Sequence, residues 1–365
     1  MKVAVITRHG VPNYGSLLQA IATQQIFTQL GCECEIIDYI RFDEHYSRRE
    51  YTLLSQKKEW KNNIIKKAVY LAIRQPESIF AGRKFQKEQR NYLNLSQRYS
   101  SLNELKLVPP RADIYVTGSD QVWGKTENGT YDETYCLSFT EGTKISYAAS
   151  FGNVTANSEL NKLFKNLLSE YSCVMVREEE AVRYLDSIGI ASKQVLDPTL
   201  VLGTEFWNKY LEPIRYEDYI LIYQIHSDSK LDKIAEKIAK MTNKKLIRVS
   251  ATFHQILRSG KFIYLPSIGQ FLSYIKNANM LITDSFHGTA FAINFNVPFL
   301  EILPNSNTEE RNKSLLRMFE LDKRIVSSID DIVDDIEKID YIKVNGILNE
   351  NRKQSLDFLS NAILE

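Results

Sequence analysis

The chain has 365 residues, more than one hydrophobic core usually supports, so two domains of ordinary size are the first expectation. With 44% hydrophobic and 25% charged residues it sits near the globular average, which excludes a fibrous repeat or a disordered chain. A formal charge of +1 gives no overall attraction to nucleic acid or membranes, so no nucleic-acid partner is expected and any electrostatic function must come from a local patch.

Residues 2–7 (KVAVIT) read as a first strand, with no basic-then-apolar leader and no apolar run long enough to span a bilayer; a cytoplasmic location is expected. A loop containing Pro12, Asn13 and Gly15 follows, then a helical pattern over 16–30 stopped by Gly31, then a strand over 34–39. This βαβ opening predicts a parallel sheet with right-handed crossovers. The rhythm breaks over residues 56–98, where Lys57, Lys58, Lys61, Lys66, Lys67, Arg74, Arg83, Lys84, Lys87, Arg90 and Arg98 oppose only Glu59, Glu77 and Glu88. This segment reads as an inserted pair of basic helices split near Gln75 and Pro76, and its charge is expected to favour peripheral contact with an anionic membrane at its inner face.

Strands resume at 113–117, 144–148, 173–176 and 194–196, with a helix over 178–188, and complete a first domain over 1–204. A second series has strands at 219–225, 245–249, 262–265, 280–283 and 299–302, separated by helices at 230–241, 269–276 and 286–295, and forms a domain over 205–344. Residues 345–365 close the chain as an amphipathic helix expected to pack back on the first domain. The predicted fold is α/β: two Rossmann-like doubly wound domains facing across a crevice, with a helical basic insertion in the first. In such folds ligands bind beyond the carboxyl ends of the strands.

Cys32, Cys34, Cys136 and Cys173 form no disulfide or metal framework and are expected to be reduced thiols. The five histidines show no close pair at zinc-ligand spacing, so no metal is expected.

Chemistry concentrates at predicted strand ends. In residues 281–293 (LITDSFHGTAFAI) a buried strand enters a tight polar turn and then a helix built of small residues. His287 therefore sits at a helix amino end, where free N–H groups favour an anionic ligand. The alternative is that Asp284 and Ser285 cap the helix and His287 only packs. In the first domain, Gly118, Ser119, Asp120, Gln121, Val122 and Trp123 follow one strand, residues 147–152 with Ser150 follow the next, and Arg177 ends the one after. An arginine at a strand mouth can hold a carboxylate or phosphate with two N–H groups, or pair with Glu178 or Glu180. Asp120 suits a base for a hydroxyl, or a turn cap. Asn13, Tyr14, Gly15 and Ser16 open the first helix and are candidates to line the crevice.

Six ordered segments resemble the polysaccharide pyruvyl transferase family: NYGSLLQA (13–20), GSDQVW (118–123), SYAASFG (146–152), VRE (176–178), VLDPTLVL (195–202) and ITDSFHGTAFAINFNVPF (282–299). The family's fold resembles that of type B glycosyltransferases. The resemblance implies transfer of the enolpyruvyl group of phosphoenolpyruvate to a hexose of a cell-surface polysaccharide or its lipid-linked precursor, giving a pyruvate ketal. Phosphoenolpyruvate is then a co-substrate, and no cofactor is implied. His287 matches the motif histidine, implied to contact the donor and act as acid, and Ser285, Phe286 and Gly288 stand in the same motif. Arg177 is the first-domain arginine assigned to a donor anion. Relatives carry arginine where Ser285 stands here, and Arg311 and Lys313 are the nearest candidates to replace that contact; the alternative is that both simply charge the start of their helix. Two other readings remain open on the same fold, a glycosyltransferase using a nucleotide sugar and a sugar-binding relative without turnover.

Overall fold

The computed structural model describes residues 1–56, 63–126, 129–152, 154, 156–226, 228–303, 309–332 and 338–364. The chain divides into two compact units, one of Met1–Pro198 with Gln354–Glu365 and one of Thr199–Lys353.

In the first unit, strands β1 (Lys2–Ile6), β2 (Glu33–Tyr39), β3 (Leu95–Tyr99), β4 (Ile114–Thr117), β5 (Thr143–Ser146) and β6 (Tyr171–Cys173) form a parallel sheet in the order β3-β2-β1-β4-β5-β6. Val3 to Ile6 of β1 are fully buried because helices cover both faces of such a sheet. The helix Tyr14–Gln29 crosses from β1 to β2 and buries residues all round, among them Leu17, Leu18, Ile21, Ile26 and Phe27. Strand order reverses between β1 and β4, so the loops leaving these two strands diverge and open a cleft at their carboxyl ends. β7 (Met175–Val176) and β8 (Lys193–Gln194) pair separately from the main sheet. Residues 173–176, expected as one strand, thus divide at Val174.

The second unit repeats the arrangement. β9 (Tyr219–Tyr223), β10 (Lys245–Ser250), β11 (Lys261–Tyr264), β12 (Met280–Thr283) and β13 (Phe299–Glu301) pair in parallel as β11-β10-β9-β12-β13, with the reversal between β9 and β12. Ile220, Ile222, Leu231, Ile234, Ile238, Ile282 and Leu300 make its core. The terminal helix, Tyr341–Leu364, starts earlier than its apolar pattern suggests. Its last turns belong to the first unit, where Ser355 Oγ accepts the Leu196 N–H and Phe358 lies under the Lys193 ammonium.

The basic segment corrects the sequence reading. A single helix, Ile64–Tyr92, runs through Pro76 instead of splitting there. Proline deprives the carbonyl four residues back of its partner, and that residue, Ala72, is exposed, so water can take the vacated bond. Arg98 lies on β3 rather than on a helix, and its Nε donates to Asp38 on β2 at 2.7 Å. Lys57, Lys58, Glu59 and Lys61 lie outside the described residues.

The helix Ile64–Tyr92 docks through Ser78, Ala81, Gly82, Phe85 and Gln89. Phe85 packs on Tyr14 at 5.1 Å between ring centroids, and Gln89 Nε2 donates to the His9 carbonyl at 2.7 Å. Gly82 is the close approach: a Cβ there would lie 2.2 to 2.5 Å from Tyr46 Cγ, Cβ and Cδ1. Alanine gains about 1 kcal/mol of helix propensity but overpacks this contact at a cost of about 1–3 kcal/mol. Gly82→Ala is therefore expected to lower the melting temperature although it replaces a helix-interior glycine; thermal unfolding beside an exposed-site control, Lys87→Ala, checks this.

Candidate functional site

At the reversal in the second unit, β12 ends at Thr283 and the helix Phe286–Asn294 begins after Ser285. Ser285 is its N-cap: Oγ accepts the Gly288 N–H at 3.3 Å, and the Ser285 N–H donates to Thr283 Oγ1 at 3.0 Å. Thr283 Oγ1 in turn donates to the Tyr223 carbonyl at 2.6 Å, tying β12 to β9. Gly288 permits this tight turn, because a Cβ there would lie 2.6 Å from Thr283 Oγ1 and 3.1 Å from Tyr223 Cδ1. Phe286 and His287 are buried, at 4% and 6% exposure, with their rings edge to face at 5.2 Å. His287 thus stands in the first turn of a helix whose amino end carries the positive pole of its dipole.

Asp284 has a different task from capping this helix. Its carboxylate accepts the N–H groups of Ile225 at 2.7 Å and His226 at 2.9 Å, and also contacts His226 Nδ1 at 3.2 Å. Asp284 is nearly buried while the His226 side chain is 33% exposed. Asp284 thus holds the imidazole by Nδ1, an arrangement that can orient a proton carrier.

Behind this turn, Glu301 at the end of β13 is fully buried. It accepts hydrogen bonds from Thr289 Oγ1 and Asn312 Nδ2, and Asn312 Nδ2 also reaches the Asp284 carbonyl at 3.3 Å. The helix Glu309–Met318 is thereby fixed beside the motif, and Arg311 on it lies close enough to act on Glu301 electrostatically. Lys313 faces the other way, pairing with Glu309 and Glu310 at 3.1 Å each. Of the two cations considered as replacements for a motif arginine, Arg311 is the one whose charge acts on Glu301.

In the first unit, Asn13 Oδ1 caps the helix Tyr14–Gln29, accepting the N–H groups of Gly15 and Ser16. Ser16 Oγ donates to Asp120 Oδ2 at 2.6 Å, joining this helix end to the loop after β4. Asp120 occupies left-handed backbone at φ 73°, a conformation most side chains avoid and asparagine and aspartate tolerate better than the rest. Its carbonyl accepts the Ser150 N–H, and Ser150 Oγ accepts that of Gly152, against which the Gln121 amide lies. Tyr14 is a core residue at 1% exposure, facing Phe85 rather than solvent.

Arg177 is buried in a network of its own. Its guanidinium donates to Glu178 Oε1 at 3.0 Å and Asp197 Oδ2 at 2.8 Å, and Asp197 also accepts from Ser119 Oγ at 2.9 Å. Burial opposes its charge, but Glu178, Asp197 and Asp120 outweigh that and hold the arginine more firmly protonated than usual. Of the two readings of Arg177, the pairing with Glu178 is present, and it is buried and shared with Asp197, a partner the sequence reading does not name. Arg177→Lys keeps the charge but replaces the planar fork that serves Glu178 and Asp197 at once with a single ammonium, so it is expected to loosen this network as well as any ligand contact.

Sequence reasoning assigned no role to His226, Thr289, Glu301 or Asn312. Glu301 carries a readable signal, a lone acid inside the apolar run Phe299, Leu300 and Ile302. Burial raises its carboxyl from 4.5 to about 8, with Thr289 and Asn312 pulling only partly the other way. Between these values the folded protein holds a proton that the unfolded chain releases. The resulting stability is full below the unfolded value and is lost as pH rises toward the folded one. Glu301→Gln keeps the shape without the titration. The native protein should lose several degrees of melting temperature relative to this variant across that interval, taking about 2–4 °C per kcal/mol; parallel melting curves at acid and mildly alkaline pH check the sign.

With both turns described, the chain can be set against known proteins. Among solved structures it is similar to Arabidopsis thaliana UGT89C1 complexed with UDP, at 10% identity over 100% of this chain and 99% of that one, with a TM-score of 0.51. It is also similar to the UDP-N-acetylglucosamine 2-epimerase of Rickettsia bellii, at 14% identity over 100% and 95% of the two chains, with a TM-score of 0.48. The former likeness shows the fold alone, two Rossmann-like α/β units in one chain. No curated protein matches. The family model for polysaccharide pyruvyl transferase matches residues 13–307, which include the Asp120 and His287 turns, and the chain therefore belongs to the polysaccharide pyruvyl transferase family, a family of transferases.

Proposed function

We propose that this protein transfers the enolpyruvyl group of phosphoenolpyruvate to two hydroxyls of a hexose in a cell-surface polysaccharide or its lipid-linked precursor, forming a cyclic ketal. The observation that carries this reading is the β12 turn of a family-matched segment, where buried His287 stands at a helix amino end beside the His226–Asp284 pair. The reaction needs a proton delivered to the donor's methylene carbon. Positive charge then develops at the adjacent carbon, a sugar hydroxyl adds there, inorganic phosphate leaves, and the second hydroxyl closes the ring. His287 is assigned as the acid and His226 as a second proton carrier. The helix amino end and Arg311 are assigned to the donor's anionic groups. In the first unit Asp120, held by Ser16, is assigned to take a hydroxyl proton, and Arg177 to set the charge around it.

The test is incubation with phosphoenolpyruvate and a panel of lipid-linked saccharides, following phosphate release and product mass. Phosphate release with an acceptor gaining the pyruvyl mass is expected, and it should survive EDTA because cationic groups and helix termini serve the anions. Release of a nucleoside diphosphate from a sugar nucleotide would instead make the protein a glycosyltransferase. Binding of phosphoenolpyruvate without turnover on any acceptor would make it a non-catalytic relative, which Ser285 in the arginine position keeps in view.

Two variants test the histidines. His287→Gln should lower turnover on the order of 100-fold with little change in melting temperature, since glutamine hydrogen-bonds but delivers no proton. His226→Gln should keep donor affinity while lowering kcat, since glutamine relays no proton. A stable, fully active His287→Gln protein overturns the assignment.

A further inference from the structure

Helices on a protein surface normally turn their apolar stripe inward. The helix Ile64–Tyr92 does so only in its second half, through Ala81 and Phe85. On its outward face the reverse holds: Ile65, Val69, Ile73 and Phe80 are 76%, 51%, 66% and 59% exposed, and Ile64 at its start is 85% exposed. The spacing of 65, 69, 73, 76 and 80 follows the helical repeat, so these side chains and exposed Pro76 form one stripe opposite the docked residues. A contiguous exposed stripe of large aliphatic and aromatic side chains marks an interaction surface.

Charge identifies the occupant. Lys66, Lys67, Arg74, Arg83, Lys84, Lys87 and Arg90 lie on this helix against Glu77 and Glu88. Glu77 is already paired with Arg74 at 2.9 Å. Lys66 and Lys84 border the stripe, and Arg83 and Lys87 continue it beyond Phe80. A second copy of the chain docked here about a two-fold axis would bring one cation-rich face against another. A leaflet containing anionic lipid takes both features at once, apolar side chains among its acyl chains and cations at its headgroups.

We propose that the outward face of this helix docks on an anionic bilayer, with Ile65, Val69, Ile73 and Phe80 entering the headgroup and acyl boundary and the flanking lysines and arginines meeting the phosphates. The surface is distinct from the residues assigned to donor chemistry. It deepens the proposed function only in placing the protein where a lipid-linked acceptor would be found.

The full chain is sedimented with vesicles of phosphatidylcholine alone and of phosphatidylcholine with phosphatidylglycerol, at low and high salt. Association is expected with the anionic vesicles and should weaken as salt rises. The triple variant Ile65→Gln, Val69→Gln, Ile73→Gln should lose about tenfold or more of the partitioning, since apolar burial drives insertion, while its melting temperature stays unchanged because these side chains face outward. Phe80→Trp should gain emission that shifts to the blue on vesicle addition and is quenched by brominated lipid. Absence of binding to anionic vesicles at low salt overturns the proposal, as does binding that the triple variant retains in full. A dimer in solution that the triple variant dissolves overturns it in favour of a copy-to-copy interface. None of these readouts uses phosphoenolpyruvate, so failure here leaves the transferase reading standing, and the reverse.

Discussion

A parallel sheet covered on both faces leaves polar side chains one inexpensive place to sit, the ends of its strands. The central strands of both sheets obey this constraint. Val3 to Ile6 and Tyr219 to Tyr223 are buried almost without trace, and the polar groups begin at once where the strands stop, with Thr7, His9 and Ser119 in one unit and Gln224, Thr283 and Asp284 in the other. Where the strand order reverses, two such ends diverge, and the backbone there must be fastened by side chains because no neighbouring strand can do it.

The two units solve that problem with an aspartate each. Asp284 spans from the end of β12 to the amides beyond β9, and Asp120 spans from the loop after β4 to the helix that follows β1. One carboxylate fastens backbone and steadies a histidine; the other, on a left-handed turn, accepts the hydroxyl of Ser16. Rigidity and the proposed chemistry are therefore coupled, since the groups that stop the loops from opening are the groups assigned to proton transfer. Arg177 shows the limit of this pattern: its guanidinium is enclosed by the buried carboxylates of Glu178 and Asp197.

Much of this was legible beforehand because it is local. Alternating strand and helix patterns, the polar turn before Phe286 and the Asn13 cap are all written within a few residues of one another. What escaped is long-range or inverted. The partners of Asp284 lie 59 and 58 positions away, and no spacing rule links them. β3 is hidden in a stretch that reads as helix because it is an edge strand with exposed polar positions, Gln97 and Arg98, among basic residues. Pro76 was read as a break because a proline's cost depends on whether the orphaned carbonyl meets water, which composition does not tell. The long helix hid its apolar stripe for a related reason: period alone shows that Ile65, Val69 and Ile73 share a face, but only packing shows that the face turns outward.

Ser285 illustrates how a motif can drift without losing its fold. As N-cap it satisfies an amide in the first turn, a bond worth about 1 kcal/mol, and an arginine in that place cannot make it. An arginine would offer a ligand contact in exchange for a looser helix start. The position thus sits between two selectable currencies, firmness of the scaffold and grip on an anion. Were a cation on the adjoining helix to take over the anion contact, serine would cost the site nothing in grip while keeping the cap. Divergence at this motif position then follows how the load is shared between two helices, and by itself says little about whether the chemistry has been kept or lost.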